Sequence, residues 1–303
     1  MMIEGFLKYL RYELNYSVHT VLSYGNDLRQ FADFLARGDS EQLRLDDVST
    51  NDIREWMMHL SNAGDCQRTI RRKVQSVRAL YKYMQRRGLI DNNPAAMVEL
   101  AKLPKRLPSY VRSENINALL DQDIDLADFT AVRNKLMLMM FYETGIRRAE
   151  LIGLIDANVD TSAMQIKVHG KRNKDRIVPF GSELLGWIER YRHLRSQQVT
   201  CECDEFFVRE NGKPLYPSLV YKVVHDALQA AGGTDKFSPH VLRHSFASAM
   251  LNNGAQLNNV KELLGHESLA ATQIYTHITF SELKDNYQSA HPRALKKGGH
   301  YGN

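Results

Sequence analysis

Tyr275 stands near the end of the stretch Gly265–His277 (GHESLAATQIYTH), between His266 and His277. A tyrosine hydroxyl, with a pKa of about 10, attacks poorly at neutral pH unless its neighbours activate it. On this stretch alone, a half-buried aromatic whose hydroxyl finds a partner is the plainer account. Two further segments change the weighing. Ser238-Pro239-His240-Val241-Leu242-Arg243-His244 reads as a helix start, with serine as N-cap and proline at the first helical position. His240 and Arg243 are three apart and so share a face in the first turn, where free N–H groups and the helix dipole favour an anion. Thr144-Gly145-Ile146-Arg147 repeats the pattern, a glycine break followed by an arginine opening a helix. Each arginine taken singly reads as a salt-bridge partner. Together they could grip the non-bridging oxygens of one phosphodiester with forked hydrogen bonds. Such bonds strengthen as charge builds in a five-coordinate transition state.

Several other chemistries are absent from the pattern. No GxxxxGK[ST] loop is present, and no cluster of carboxylates is spaced for Mg²⁺, so neither a nucleotide nor a metal cofactor is expected. Cys201 and Cys203 are at most half a metal site without a second Cys/His pair, and with Cys66 they are too few for a disulfide framework. That usage points to a reducing, cytoplasmic setting. No apolar run approaches the roughly 18 residues of a membrane span, so no membrane partner is expected. The N-terminal MMIEGFLKYLRYELNYS is amphipathic and carries acids, unlike a signal peptide.

A chain of 303 residues predicts two domains. Residues 1–100 read as helices: a first marked by Ile3, Phe6, Leu7, Leu10 and Leu14, a second capped by Ser17 and reaching about Ala36, and a third opened by Ser49 or Thr50. A fourth, Gln67–Arg87, carries eight Lys/Arg and no acid. Its Ile70, Val74, Val77, Tyr81 and Met84 form one helical stripe, with Arg71, Arg78, Lys82 and Arg86 on another face. That face is either solvated or laid on phosphates, and we expect the latter. Residues 101–112 form a linker with two prolines and the bases Lys102, Lys105 and Arg106. From Ser113 to the end the pattern is mainly helical. Ala131–Tyr142 is a core helix, Met164–His169 and Arg176–Pro179 are strands of a hairpin around GKRNKD, and Phe206–Val208 is a short strand.

The ordered set Thr144–Leu151 (TGIRRAEL), Gly170-Lys171, His240–Arg243 (HVLR), Leu264-Gly265-His266 and Tyr275 resembles the tyrosine recombinase family over nearly the whole chain. Ala290–Ala294 (AHPRA) is similar to the C-terminal signature of its Xer subfamily, which resolves chromosome dimers at cell division. Arg148-Ala149 departs from the family's aliphatic or small residue followed by serine, a change we expect to be neutral because Glu150-Leu151 follows intact.

The resemblance implies a mainly α fold with a small β-hairpin or sheet in the catalytic domain. It implies a two-domain DNA clamp: a SAM-like core-binding domain at 1–100 and a catalytic domain at 113–303 that ends in a subunit-exchange helix. By the same resemblance Tyr275 attacks the scissile phosphate and becomes a 3′-phosphotyrosine. Arg147 and Arg243 bind the phosphate, His240 and His266 support the same site, and Lys171 protonates the departing 5′-oxygen. Glu150 orients Arg147 or His240, while His244 and His277 either support the site's side chains from behind or are structural. Arg68, Arg71, Arg72, Arg78, Lys82, Arg86, Lys102, Lys105 and Arg106 are the expected DNA contacts. The implied partners are double-stranded DNA at a specific site and a tetrameric synapse with itself or a paralogous recombinase, with a DNA translocase as an admissible activator. The segment from Ser281 onward, with Leu283 and Tyr287 on one face, would pack into the neighbouring protomer. Exchanging a phosphodiester for a phosphotyrosine keeps the bond type, so no ATP is needed. Two alternatives stay open: an integrase of a phage or mobile element with the same chemistry, and a non-catalytic DNA-binding protein in which Tyr275 is structural.

Overall fold

The computed structural model describes residues 2–36, 45–101, 111, 113–170, 175–231, 237–265, 284 and 287–294. The chain divides into two compact units, Met1–Leu107 and Pro108–Asn303. No described helix is long and apolar enough to cross a membrane.

Among the described residues the first unit packs four α-helices: α1 (Met2–Lys8), α2 (Val18–Leu35), α3 (Thr50–Asn62) and α4 (Gln67–Arg86). The predicted first helix relaxes into a π-helical turn at Tyr9–Glu13 after α1 ends. Ser17 caps α2 by accepting the Thr20 N–H. Ser49 and Asp52 close a reciprocal capping box on α3. The stripe Ile70, Val74, Val77, Tyr81 and Met84 of α4 is buried against Phe6, Leu28, Phe31 and Trp56. The basic residues of α4 do not all face solvent. Arg71 donates to the Ala101 carbonyl (3.3 Å), and Arg78 donates to the carbonyls of Ala95 (3.2 Å) and Val98. Arg72 pairs with the buried Asp27, which also accepts from Ser76 (2.8 Å). Arg68, Lys82 and Arg86 are exposed.

The second unit gathers α5 (Ser113–Leu120), α6 (Phe129–Thr144), α7 (Arg148–Ile152), α8 (Ser182–Gln198), α9 (Pro217–Ala230), α10 (Pro239–Asn252) and α11 (Leu257–Leu264) around a three-stranded antiparallel sheet. Its strands are β1 (Val159–Asp160), β2 (Gln165–His169) and β3 (Asp175–Pro179), in the order β1-β2-β3. β2 and β3 are the predicted hairpin, registered from Gln165↔Pro179 to His169↔Asp175. Two-residue β1 was too short to read from alternation. Met164, expected in a strand, instead takes φ 50 where the chain turns from β1 into β2. The expected strand at Phe206–Val208 is reduced to isolated bridges, Ile155↔Glu205 and Val208↔Pro214. All three of those side chains are buried and Phe206 packs edge-on against Phe207, so the segment lacks the one-sided alternation of a ladder strand.

α6 is the centre of this core, buried on every side from Leu136 to Thr144, as expected for Ala131–Tyr142. The last described residues differ from the expectation of a neighbour-seeking tail. Tyr287, Ala290 and Ala294 belong to the core of their own unit, and Arg293 is 1% exposed between Glu183, Asp121 and Glu143. A guanidinium so buried must be paired, and its acids lie on or beside α5, α6 and α8. Ser281–Leu283 lie outside the described residues, as do Lys102, Lys105 and Arg106.

Candidate active site

α6 stops at Gly145, which takes the left-handed conformation with φ 61. A Cβ there would stand 2.5 Å from the Phe246 ring and 2.9 Å from a Leu264 methyl, so this close approach requires glycine. The turn leaves the Gly145 carbonyl free to accept, and it delivers Arg147 to the N-cap of α7. Glu150, at the third position of α7, accepts from the Arg147 backbone N–H (2.7 Å) and from Arg147 Nη1 (2.7 Å). Sequence and backbone together therefore fix the Arg147–Glu150 pair within one helical turn.

Arg243 is the fifth residue of α10, one turn inside the helix, and is buried at 7% exposure. Ser238 occupies the N-cap but makes no side-chain capping bond. Arg243 donates through Nη1 to the Gly145 carbonyl and through Nη2 to the Leu264 carbonyl (2.5 Å). Arg147 Nη2 donates to the next carbonyl, Gly265 (2.8 Å). A third arginine joins them: Arg176 of β3 donates through Nε to Leu263 (2.7 Å). Three consecutive carbonyls at the end of α11 thus hold three guanidiniums. The physical cause is plain, because the last carbonyls of a helix lack partners and carry the negative end of its dipole.

The electrostatics follow from this gathering. Burial pushes Arg243 down to about 10, helped by the charges of Arg147 and Arg176, so it remains a cation at neutral pH. Burial would raise Glu150, but Arg176 and then Arg147 outweigh it and hold the carboxyl at about 2. His240 faces outward beside them. Partial burial and the charges of Arg148, Arg243 and Arg147 lower its pKa, which keeps the imidazole neutral and able to accept a proton. The result is a positive surface on which two of the predicted phosphate ligands converge. Each guanidinium has five N–H donors, and the carbonyls and Glu150 use two each from the side chains of Arg147 and Arg243. Donors remain for an anion. Among the described residues no group of three or more His, Cys, Asp and Glu side chains is placed to hold a metal.

Of the predicted site, Arg147, Glu150, His240 and Arg243 come together here. Lys171, His266 and Tyr275 lie outside the described residues, although the chain reaches Gly170 and Gly265 immediately before the first two. Arg176 was not anticipated. Its signal was the alternation of β3, in which Arg176 shares the inward side with the buried Val178 while Ile177 is 40% exposed. An arginine on a core-facing position must find acceptors, and Glu150 with the Leu263 carbonyl supplies them.

Comparison with known proteins identifies the family. The sequence model described as the Phage integrase family matches residues 109–282, and that of the Phage integrase N-terminal SAM-like domain matches residues 3–88. A tyrosine recombinase XerC of Listeria monocytogenes is 38% identical over 294 residues, covering 96% of this chain and 97% of that protein. The tyrosine recombinase XerC of Bacillus subtilis is 34% identical over 300 residues, covering 97% of both. Among solved structures, XerH site-specific recombinase bound to its difH substrate matches in fold with a TM-score of 0.67 at 22% identity, covering 93% of this chain and 82% of that one. The chain therefore belongs to the phage integrase family, as a Xer-type tyrosine recombinase.

Proposed function

We propose that this enzyme cuts and rejoins a specific duplex DNA site by in-line attack of Tyr275 on a phosphodiester held by Arg147 and Arg243. The bond from the tyrosine oxygen to phosphorus forms as the bond from phosphorus to the 5′-oxygen breaks. The tyrosine proton passes towards neutral His240, with His266 donating to the same phosphate, and Lys171 supplies the proton that the departing 5′-oxygen takes up. Rejoining runs the same steps backwards from another strand's 5′-hydroxyl, with no change of bond type and no need for ATP. The observation that carries this reading is the pair of arginines fixed on the Gly145, Leu264 and Gly265 carbonyls with donors to spare. They stand beside a histidine whose pKa is lowered by partial burial and then by the neighbouring arginine charges.

Double-stranded DNA is the proposed partner, read by the helical first unit and acted on by the second. Cutting and rejoining two sites requires several active sites, so we place the protein in a tetrameric synapse, with itself or a paralogous recombinase. A DNA translocase would supply activation, and resolution of chromosome dimers is the proposed task. The test is incubation with a duplex that carries the cognate site and a nick just 3′ of the cleavage position, so that the short 5′-hydroxyl fragment diffuses away. A covalent protein–DNA adduct that survives SDS, formed without ATP, is expected. Absence of any adduct on a site that the protein demonstrably binds would overturn the proposal.

A further inference from the structure

Arg176 is placed differently from the arginines assigned to the phosphate. Its side chain is 11% exposed, and its Nη1 and Nη2 each donate at 2.8 Å to a separate oxygen of Glu150. Its Nε is spent on the Leu263 carbonyl at 2.7 Å. Three donors are thus consumed by two fixed partners, which suits it poorly for binding substrate and well for holding Glu150.

We infer that Arg176 is a positioning residue: it occupies both oxygens of Glu150 end-on, so that Arg147 spends only one side-chain N–H there and, with a second on the Gly265 carbonyl, keeps the other three for the scissile phosphate. Glu150 already takes the Arg147 backbone N–H and its Nη1. Without Arg176 the buried carboxylate would be short of partners, and the cheapest repair is a full two-pronged pair with Arg147. That repair would withdraw the Arg147 guanidinium from the phosphate. Arg176 also ties β3 to the end of α11, where the neighbouring carbonyls hold Arg243 and Arg147. The hairpin that carries Lys171 and the helix end that leads to His266 are thereby held in one frame. This inference rests on the proposed role of Arg147 and Arg243 as phosphate ligands.

The test compares two nicked duplexes, one with an ordinary scissile phosphate and one with a neutral methylphosphonate at that position. The full-length protein, Arg176→Ala, Arg176→Lys and Arg147→Ala are measured for site binding and for the rate of adduct formation. A displacement of about 1 Å at a reacting group costs on the order of a hundredfold, so Arg176→Ala should lose about that factor on the phosphodiester while still binding the site. On the methylphosphonate, where there is no charge for Arg147 to neutralise, its deficit should shrink at least about tenfold, as should that of Arg147→Ala. Arg176→Lys keeps the charge but cannot span both oxygens and the carbonyl, so it should show a smaller deficit with the same dependence on substrate. It carries the comparison if the alanine variant fails to fold. Equal deficits on both duplexes for the Arg176 variants would overturn the inference, leaving Arg176 as a support of the fold alone. Failure of the unaltered protein to form an adduct, or of Arg147→Ala to recover on the methylphosphonate, would instead overturn the proposed function.

Discussion

Glu150 stays ionised far below the usual carboxylate range because two arginines outweigh its burial, and this one side chain organises the site. It fixes Arg147 from within the same turn and is itself fixed by Arg176 from another element. TGIRRAEL announced the Arg147–Glu150 pair, since an N-cap and its third helical position are neighbours in any helix. Arg176 was hidden because its partner is not local, and only the inward side of β3 hinted at it. The chemistry assigned to Lys171 can be tested by itself. If it protonates the leaving 5′-oxygen, Lys171→Ala should form adduct slowly on ordinary DNA, by about 10²–10⁴-fold. A bridging 5′-sulfur, whose thiolate leaves without a proton, should restore most of that rate. An equal deficit on both substrates would show that the lysine only places DNA.

The helix ends, rather than the helices, place the charges. Gly145 ends α6 and exposes a carbonyl, Gly265 ends α11 after two more, and the arginines collect on them. Both glycines are visible in the sequence as breaks, but where their carbonyls point depends on how α6, α10 and α11 pack. The same division applies to α4. Its buried stripe followed from periodicity, whereas Arg71 and Arg78 turned out to satisfy backbone carbonyls of the segment that follows. We therefore expect the exposed Arg68, Lys82 and Arg86 to be the bases of this helix that meet phosphates. Replacing each by glutamine should flatten the log–log salt dependence of site binding by about 0.9 for every phosphate left without its cation. Arg78→Gln should instead lower the melting temperature of the protein. A salt slope unchanged after all three exposed bases are replaced would show that this face meets water rather than DNA.

At the scale of the whole chain, the catalytic unit is closed by its own last described residues. His291 is buried with its ring stacked on Tyr287, Nε2 against the Tyr142 carbonyl (3.2 Å) and Nδ1 accepting from the Arg293 backbone N–H (3.3 Å). Burial, with Arg293 nearby, pushes it down to about 3 despite the Tyr142 hydrogen bond. The unfolded chain takes up that proton first, so stability should fall as pH drops from about 6.5 towards 3. His291→Asn, which keeps an acceptor for the Arg293 N–H without titrating there, should show a flatter decline in melting temperature across the same window, and an identical decline would refute this source of acid lability. Arg293→Ala should cost about 3–5 kcal/mol, because the buried Glu143 and the partly buried Glu183 both lose its guanidinium. Deleting the chain from Ser281 would remove this closure, so folding and DNA binding should be lost together.

The overall order of elements was legible because caps, glycine breaks and apolar stripes are local signals. The docking of this last segment was not, since two apolar side chains four apart fit a partner surface as well as their own. The proposed mechanism turns finally on one hydroxyl. Tyr275→Phe should bind its DNA site as tightly as the unaltered protein and yield no SDS-resistant adduct on the nicked duplex. The unaltered protein should carry the DNA on the peptide that contains Tyr275. An adduct from the phenylalanine variant at near wild-type yield would contradict the mechanism.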